Sequence, residues 1–90
     1  MTKEASTRTD HIRVFLVDDH PAIREAVADT ISQTMDMDMC GETGSSDEAF
    51  RLIEQKQPDI AIIDISLDDA HGLDLVQNVR AQSPDVKMIV

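Results

Sequence analysis

Two apolar runs that each finish in aspartate constrain this chain more than anything else in it. The first is Ile12-Arg13-Val14-Phe15-Leu16-Val17, followed by Asp18-Asp19; the second is Ile60-Ala61-Ile62-Ile63, followed by Asp64-Ile65. Nearly continuous runs of this kind read as parallel strands covered on both faces. An ionised carboxylate costs several kcal/mol to desolvate, so it marks the end of burial rather than its continuation. Two buried strands that both end in acid imply acids meeting at one end of a sheet. Such an acidic pocket needs a cation.

The segments between the runs carry helical and edge-strand signals. Pro21 suits a first helical turn, and Ile23, Ala26, Val27 and Ile31 follow at helical spacing. Met35, Met37 and Met39 alternate with Asp36 and Asp38, a period of two that predicts an edge strand with one wet face. Gly41 and Gly44 punctuate its exit. Ser45-Ser46-Asp47-Glu48 offers a capping box, Ser45 with Glu48, for a second helix whose apolar face is Ala49, Phe50, Leu52 and Ile53 and which ends at Pro58. A loop from Ser66 to Gly72 leads to a third helix with Leu73, Leu75, Val76 and Val79. Ser83-Pro84-Asp85 then turns the chain into a fourth strand over 86–90. Strands alternating with short helices predict an α/β fold with a parallel sheet and right-handed crossovers. Ligands of such sheets sit beyond the C-terminal strand ends, where strand order reverses. Were the first and third strands neighbours, their ends would lie ~4.8 Å apart.

Ninety residues allow one small domain. We divide it into a polar flexible tail over 1–11 and a folded unit over 12–90. The tail fits neither a signal peptide nor a membrane span. A net charge of −10 argues against gripping nucleic acid or anionic lipid by charge, and favours divalent cations and basic partners. The single Cys40 excludes an internal disulfide and fits a reducing compartment, so a cytoplasmic location is expected.

Three carboxylates within a few ångströms repel one another and raise each other's pKa unless a counter-ion is present. Mg²⁺ suits the gap, because it prefers oxygen ligands and takes one or two carboxylates plus a phosphate. Carboxylates also act as nucleophiles in forming aspartyl phosphates. Asp64, alone on its strand, is the nucleophile candidate, and Asp18 with Asp19 is the metal holder. The plainer reading is that Asp18 or Asp19 caps the helix ahead of Pro21 and that Asp64 caps the third helix. Ile65, which prolongs the strand, weighs against the latter. His20 and His71 could build a transition-metal site with Asp68 or Asp69, but solvated loop histidines are the commoner case. Arg24, Arg51, Lys56 and Arg80 read as ordinary solvent-facing charge, and the methionine alternation as packing.

Three stretches carry a resemblance: Phe15-Leu16-Val17-Asp18-Asp19-His20-Pro21, Asp59-Ile60-Ala61-Ile62-Ile63-Asp64-Ile65-Ser66-Leu67 and Gly72-Leu73-Asp74-Leu75. Together they resemble the receiver domain of two-component response regulators, across residues 12–90. The Asp-Asp-His-Pro form is similar to the NarL/FixJ-type subgroup, whose full-length members add a LuxR-type helix-turn-helix that binds DNA. The resemblance implies a flavodoxin-like (CheY-like) doubly wound sheet of order 2-1-3-4. It implies that Asp64 accepts a phosphoryl group from a histidine kinase or phosphotransfer protein. It also implies that Mg²⁺ is held by Asp18, Asp19, Asp64 and the backbone carbonyl of Ser66. Such a domain is a phosphorylatable switch that catalyses its own phosphorylation and slow hydrolysis, rather than a turnover enzyme. Transcription control through a DNA-binding output domain outside these 90 residues would follow.

The sequence departs from that family in two respects. The loop after Leu67 lacks the family's frequent Pro and carries Asp68 and Asp69, read as solvated charges that favour the following helix N-terminus. The family's Ser/Thr after the fourth strand and Lys after the fifth are not among these residues, nor are the fifth strand and last two helices. A final helix burying ~4 to 6 apolar side chains contributes ~6 to 18 kcal/mol at ~1.5 to 3 each, against a whole-domain stability of about 5 to 15 kcal/mol. The 90 residues alone are therefore expected to be unstable as a monomer, with Met88-Ile89-Val90 as an open edge inviting a dimer or strand exchange. Two alternatives compete: a degenerate interaction module that never phosphorylates, and a haloacid-dehalogenase-like Mg²⁺-dependent phosphatase. The latter needs a second acid two residues after the nucleophile, where this chain has Ser66. A dinucleotide-binding domain lacks its glycine-rich turn.

Overall fold

The computed structural model describes residues 11–64 and 72–90. Most of the expected tail, and the loop residues Ser66, Asp68, Asp69 and His71, lie outside that range. In chain order the described elements are β1 (Ile12–Val17), α1 (Pro21–Ser32), β2 (Met37–Thr43), α2 (Ser46–Lys56), β3 (Ile60–Ile63), α3 (Gly72–Gln82) and β4 (Lys87–Ile89). The strands form one parallel sheet in the order β2-β1-β3-β4, as the resemblance implies. No helix among the described residues is long and apolar enough to cross a membrane.

Both central strands send alternate residues to opposite faces. Phe15 and Val17 of β1 pair in register with Ala61 and Ile63 of β3. Together with Ala49 and Ile53 of α2, Leu75, Val76 and Val79 of α3, and Val86, they form the buried core. Val14 and Leu16 face the other way and are equally buried, on the side where α1 packs against β2. Asp59 fixes the start of β3 beside β1: its carboxylate accepts the Arg13 N–H at 2.8 Å, and its own N–H donates to the Arg13 carbonyl at 2.9 Å.

Three expectations need correction. Only Ile31 of the α1 stripe is buried, and Ile23 is 47% exposed. On that face the β3–β4 half of the sheet is thinly covered among the described residues: Ile60 and Ile62 are half-buried and Ile89 is exposed. Leu73, assigned to the apolar face of the third helix, is likewise exposed. Met35 is exposed and precedes β2, so the methionine alternation does not run into the strand as a single pattern. Within β2 the register shifts: Val14 pairs with Met39, but Phe15 pairs with Gly41. Cys40 is the extra residue of a bulge, which breaks the period of two.

Gly41 is required by close approach. A Cβ there would stand 2.7 Å from Phe15 Cε1 and 3.0 Å from Cδ1. Phe15 is wholly buried in the central strand and has nowhere to go. Replacing a strand glycine by alanine ordinarily stabilises, by ~0.4 to 1 kcal/mol. Here Gly41→Ala is expected to destabilise, by about 1 to 3 kcal/mol through overpacking. Urea denaturation reads the sign directly, and an unchanged or raised midpoint would contradict the contact.

The α2 cap is more elaborate than a two-residue box. Ser45 is the N-cap and its hydroxyl accepts the Glu48 N–H at 3.4 Å. The Glu48 carboxylate does not return to Ser45; it accepts the Thr43 hydroxyl at 2.5 Å, and Thr43 Oγ1 accepts the Ser45 N–H at 3.2 Å. The reciprocal half of the box thus passes through one inserted hydroxyl. That hydroxyl ties the end of β2 to the start of α2.

Candidate functional site

The site stands where three strand ends are laced together. Val17, the last residue of β1, pairs with Ile63, the last of β3. The Asp64 N–H donates to the Val17 carbonyl at 2.9 Å, and the Asp18 N–H donates to the Thr43 carbonyl at 3.0 Å. Asp18, Asp19 and Asp64, on two different strands, are thereby brought to one rim of the sheet. Donor atoms of Asp18, Asp19, His20 and Asp64 all lie within 4.8 Å of one another. Ser66, expected to offer its backbone carbonyl, lies outside the described residues.

Neither acid of the pair is the helix cap of the plainer reading. The N-cap of α1 is His20, with no side-chain cap bond and Pro21 in the first turn. Asp18 instead closes a local turn, its Oδ1 accepting the His20 N–H at 2.8 Å, as Asp commonly does two residues ahead. The residues between Asp64 and α3 lie outside the described ones. Asp18 is 8% exposed, with Asp19 and Asp64 half-buried. Buried carboxylates this close demand positive charge. Three oxygen donors that converge from two strands match the ligands Mg²⁺ prefers.

Two residues to which the sequence assigned other surroundings complete the site. His20 sets its ring Nδ1 2.7 Å from Asp18 Oδ1 and 3.1 Å from Asp19 Oδ1. Arg24, expected to face solvent, donates from one guanidinium nitrogen to the Asp18 carbonyl at 2.6 Å and from Nε to Glu42 Oε1 at 3.0 Å. It fixes the acid-bearing turn to α1 and β2. Gly44 leaves room for it: a Cβ at Gly44 would stand 3.0 Å from that guanidinium and 3.3 Å from Asp19 Cα. The available signal for Arg24 was its place on the first turns of the helix that follows the acids. Arg51 and Arg80 are exposed as expected.

The hydrogen bond that the ring donates to the Asp18 carboxylate, then the charge of Asp19, raises the His20 pKa above the ordinary 6.5. A raised folded value means that the protonated ring stabilises the fold. That contribution is complete below pH 6.5 and fades as pH climbs through the raised value. In metal-free protein the His20 ring signal should therefore titrate above pH 6.5 by NMR, and added Mg²⁺ should bring the midpoint down. An unshifted midpoint that ignores Mg²⁺ would dissolve the coupling.

With this geometry in view, comparison with known proteins is decisive. The sequence profile of the response regulator receiver domain matches residues 14–90. This chain belongs to that family. The receiver chain is similar to the DNA-binding transcriptional activator DevR/DosR of Mycobacterium tuberculosis, 33% identical over 79 residues, covering 88% of this chain and 36% of the relative. It is also similar to a solved two-component response regulator of the LuxR family from Aurantimonas sp. SI85-9A1: TM-score 0.80, 28% identity, 87% of this chain and 56% of that one. The response regulator domain of Thermotoga maritima CheB, at 24% identity, shares the fold with a TM-score of 0.81 over 87% of this chain and 57% of that one. The receiver chain spans about a third of the length of the curated relatives it matches.

Proposed function

We propose that this receiver chain is a phosphorylatable switch whose acceptor is Asp64. A carboxylate oxygen of Asp64 attacks the phosphorus of a phosphohistidine. The N–P bond breaks, the departing imidazole keeps the electron pair, and a proton from solvent then neutralises it. Asp18, Asp19 and Asp64, with the backbone carbonyl of Ser66, would hold Mg²⁺. The ion would neutralise charge between the acids and the incoming phosphoryl oxygens. Arg24 keeps the Asp18-Asp19 turn seated on β2. The observation that carries this reading is the convergence of Asp64 with Asp18 and Asp19 at neighbouring strand ends.

The partner is a histidine kinase or phosphotransfer protein, in the cytoplasm, and the output is transcription through a DNA-binding region outside these residues. The similarity to DevR/DosR, a DNA-binding transcriptional activator, supports that output. The exposed edge of β4, with Ile89 and Val90 exposed beside it, favours pairing with a second copy. Concentration-dependent sedimentation would register such pairing, and a concentration-independent monomer would remove it.

Incubation with acetyl phosphate and Mg²⁺ tests the central claim. The expected product carries a single phosphoryl group, stable to acid and labile to base and hydroxylamine. A degenerate interaction module would give no adduct. A haloacid-dehalogenase-like phosphatase would release phosphate steadily from a generic phosphomonoester. Either outcome would overturn the switch.

A further inference from the structure

The guanidinium of Arg24 is tied down on two sides. Its side chain is only 23% exposed. Nε donates to Glu42 Oε1 at 3.0 Å, and Nη1 donates to the Asp18 main-chain carbonyl at 2.6 Å. Glu42 stands on β2 opposite Leu16 of β1. Arg24 itself sits in the first turn of α1, where its N–H donates to the His20 carbonyl at 3.0 Å. The fork therefore joins a strand, a helix and the acid-bearing turn between β1 and α1.

The group it holds gives the contact its meaning. The Asp18 carbonyl belongs to the planar peptide unit that joins Asp18 to Asp19. Rotation of that unit swings one carboxylate relative to the other. On the near side, the Asp18 N–H is fixed on the Thr43 carbonyl at 3.0 Å; on the far side, Arg24 fixes the C=O. Gly44 leaves space for this arrangement and little more. A Cβ there would stand 3.0 Å from Nη1 and 3.3 Å from Asp19 Cα, against the guanidinium and the turn together.

We propose that Arg24 is a positioning residue for the cation site: anchored on Glu42 and admitted by Gly44, it fixes the Asp18–Asp19 peptide and thereby sets how tightly the carboxylates hold Mg²⁺. The inference rests on the three-carboxylate centre proposed above, but not on phosphoryl transfer. The competing role for Arg24 is that of a plain positive charge beside the acids. The two roles differ in sign. A positioning fork needs two nitrogens set in one plane, which lysine does not offer, so Arg24→Lys should weaken Mg²⁺ binding although the charge is kept. A mere charge repels the incoming ion, so its removal should tighten binding and lysine should preserve the parent affinity.

Calorimetric titration with Mg²⁺, beside thermal melts of the metal-free protein, separates these roles. Arg24→Lys and Arg24→Met are each expected to weaken Mg²⁺ binding about tenfold. Glu42→Gln keeps an acceptor for Nε and should stay within about twofold of the parent, whereas Glu42→Ala should fall with the Arg24 variants. Arg80→Met, which removes an exposed charge on α3, should leave the affinity unchanged. Gly44→Ala is the most searching variant. Gly44 has no positive φ, so alanine suits its backbone, and the crowded atom is the end of a side chain that can swing away. The metal-free melting midpoint should hold within a few degrees while Mg²⁺ binding weakens several-fold. A contact that only stabilised the fold would not separate the two readings in this way.

Tighter binding in Arg24→Met, parental binding in Arg24→Lys, or equal losses in Glu42→Gln and Glu42→Ala would overturn the inference. If the affinities fall as expected but acetyl phosphate leaves no adduct, the switch alone falls. If the adduct forms and every variant binds Mg²⁺ like the parent, only this inference falls. If the parent binds no Mg²⁺, it falls together with the metal centre.

Discussion

Asp64→Ala is expected to abolish the phosphoryl adduct completely and to make the metal-free fold more stable. The first effect follows from the proposed function, in which Asp64 is the acceptor, while Asp18 closes the turn at His20 and, with Asp19, is proposed to hold the cation. The second follows from electrostatics: Asp64 shares a rim with two further carboxylates, and removing one of three mutually repelling charges lowers the energy of the apo state. Mg²⁺ should then lose most of its stabilising effect, because a ligand stabilises only in proportion to its affinity for the folded state. Intact-mass measurement after incubation with acetyl phosphate reads the first outcome. Thermal melts with and without Mg²⁺ read the second. An adduct persisting at the parent level in Asp64→Ala would move the acceptor elsewhere. An unchanged apo midpoint would show that the acids do not feel one another.

Phe15→Ala should be the most destructive single substitution in the fold. Phe15 is wholly buried, sits in the central strand, and fills the space that Gly41 leaves open on β2. Truncating a buried Phe costs about 3 to 5 kcal/mol through lost transfer energy and the cavity left behind. That is a large part of the roughly 5 to 15 kcal/mol that hold a typical domain together. At about 4 to 8 °C per kcal/mol for a chain of this size, the melting midpoint should fall by tens of degrees, or the cooperative transition should vanish. A shift of only a few degrees would mean that Phe15 is not the keystone of the core.

The order of elements and the three acids were legible because each depends on local pattern. Unbroken apolar runs announce doubly covered strands, and the acids that end them announce a rim. The rest depended on partners distant in sequence. Period-two reasoning could not see the bulge at Cys40, because the shift is defined against β1 rather than within β2. Arg24 read as surface charge because its acceptors are the Asp18 carbonyl and Glu42, neither of which is adjacent to it in sequence. The α1 stripe promised a buried face, but Ile23 remains exposed: helical periodicity says which side is apolar and not how much sheet lies beneath it. The Ser45–Glu48 pair was legible, but the intervening Thr43 hydroxyl was not.

The one-residue insertion at Cys40 decides more than the outline of β2. Ahead of it, Met39 shares its side of the sheet with Val14; beyond it, Glu42 shares a side with Leu16 and Thr43 with Val17. Glu42 can therefore grip the helix on one flank while Thr43 steadies the helix on the other. Because pairing resumes with Gly41 opposite Phe15, Glu42 opposite Leu16 and Thr43 opposite Val17, deleting Cys40 would keep both residues on their faces, whereas inserting one more residue after Gly41 would exchange them, leaving Arg24 facing a hydroxyl and burying a carboxylate under α2. The strand works as a half-twisted ribbon, and a frame-preserving gain of one codon beyond the bulge would unpick both helices' moorings at once.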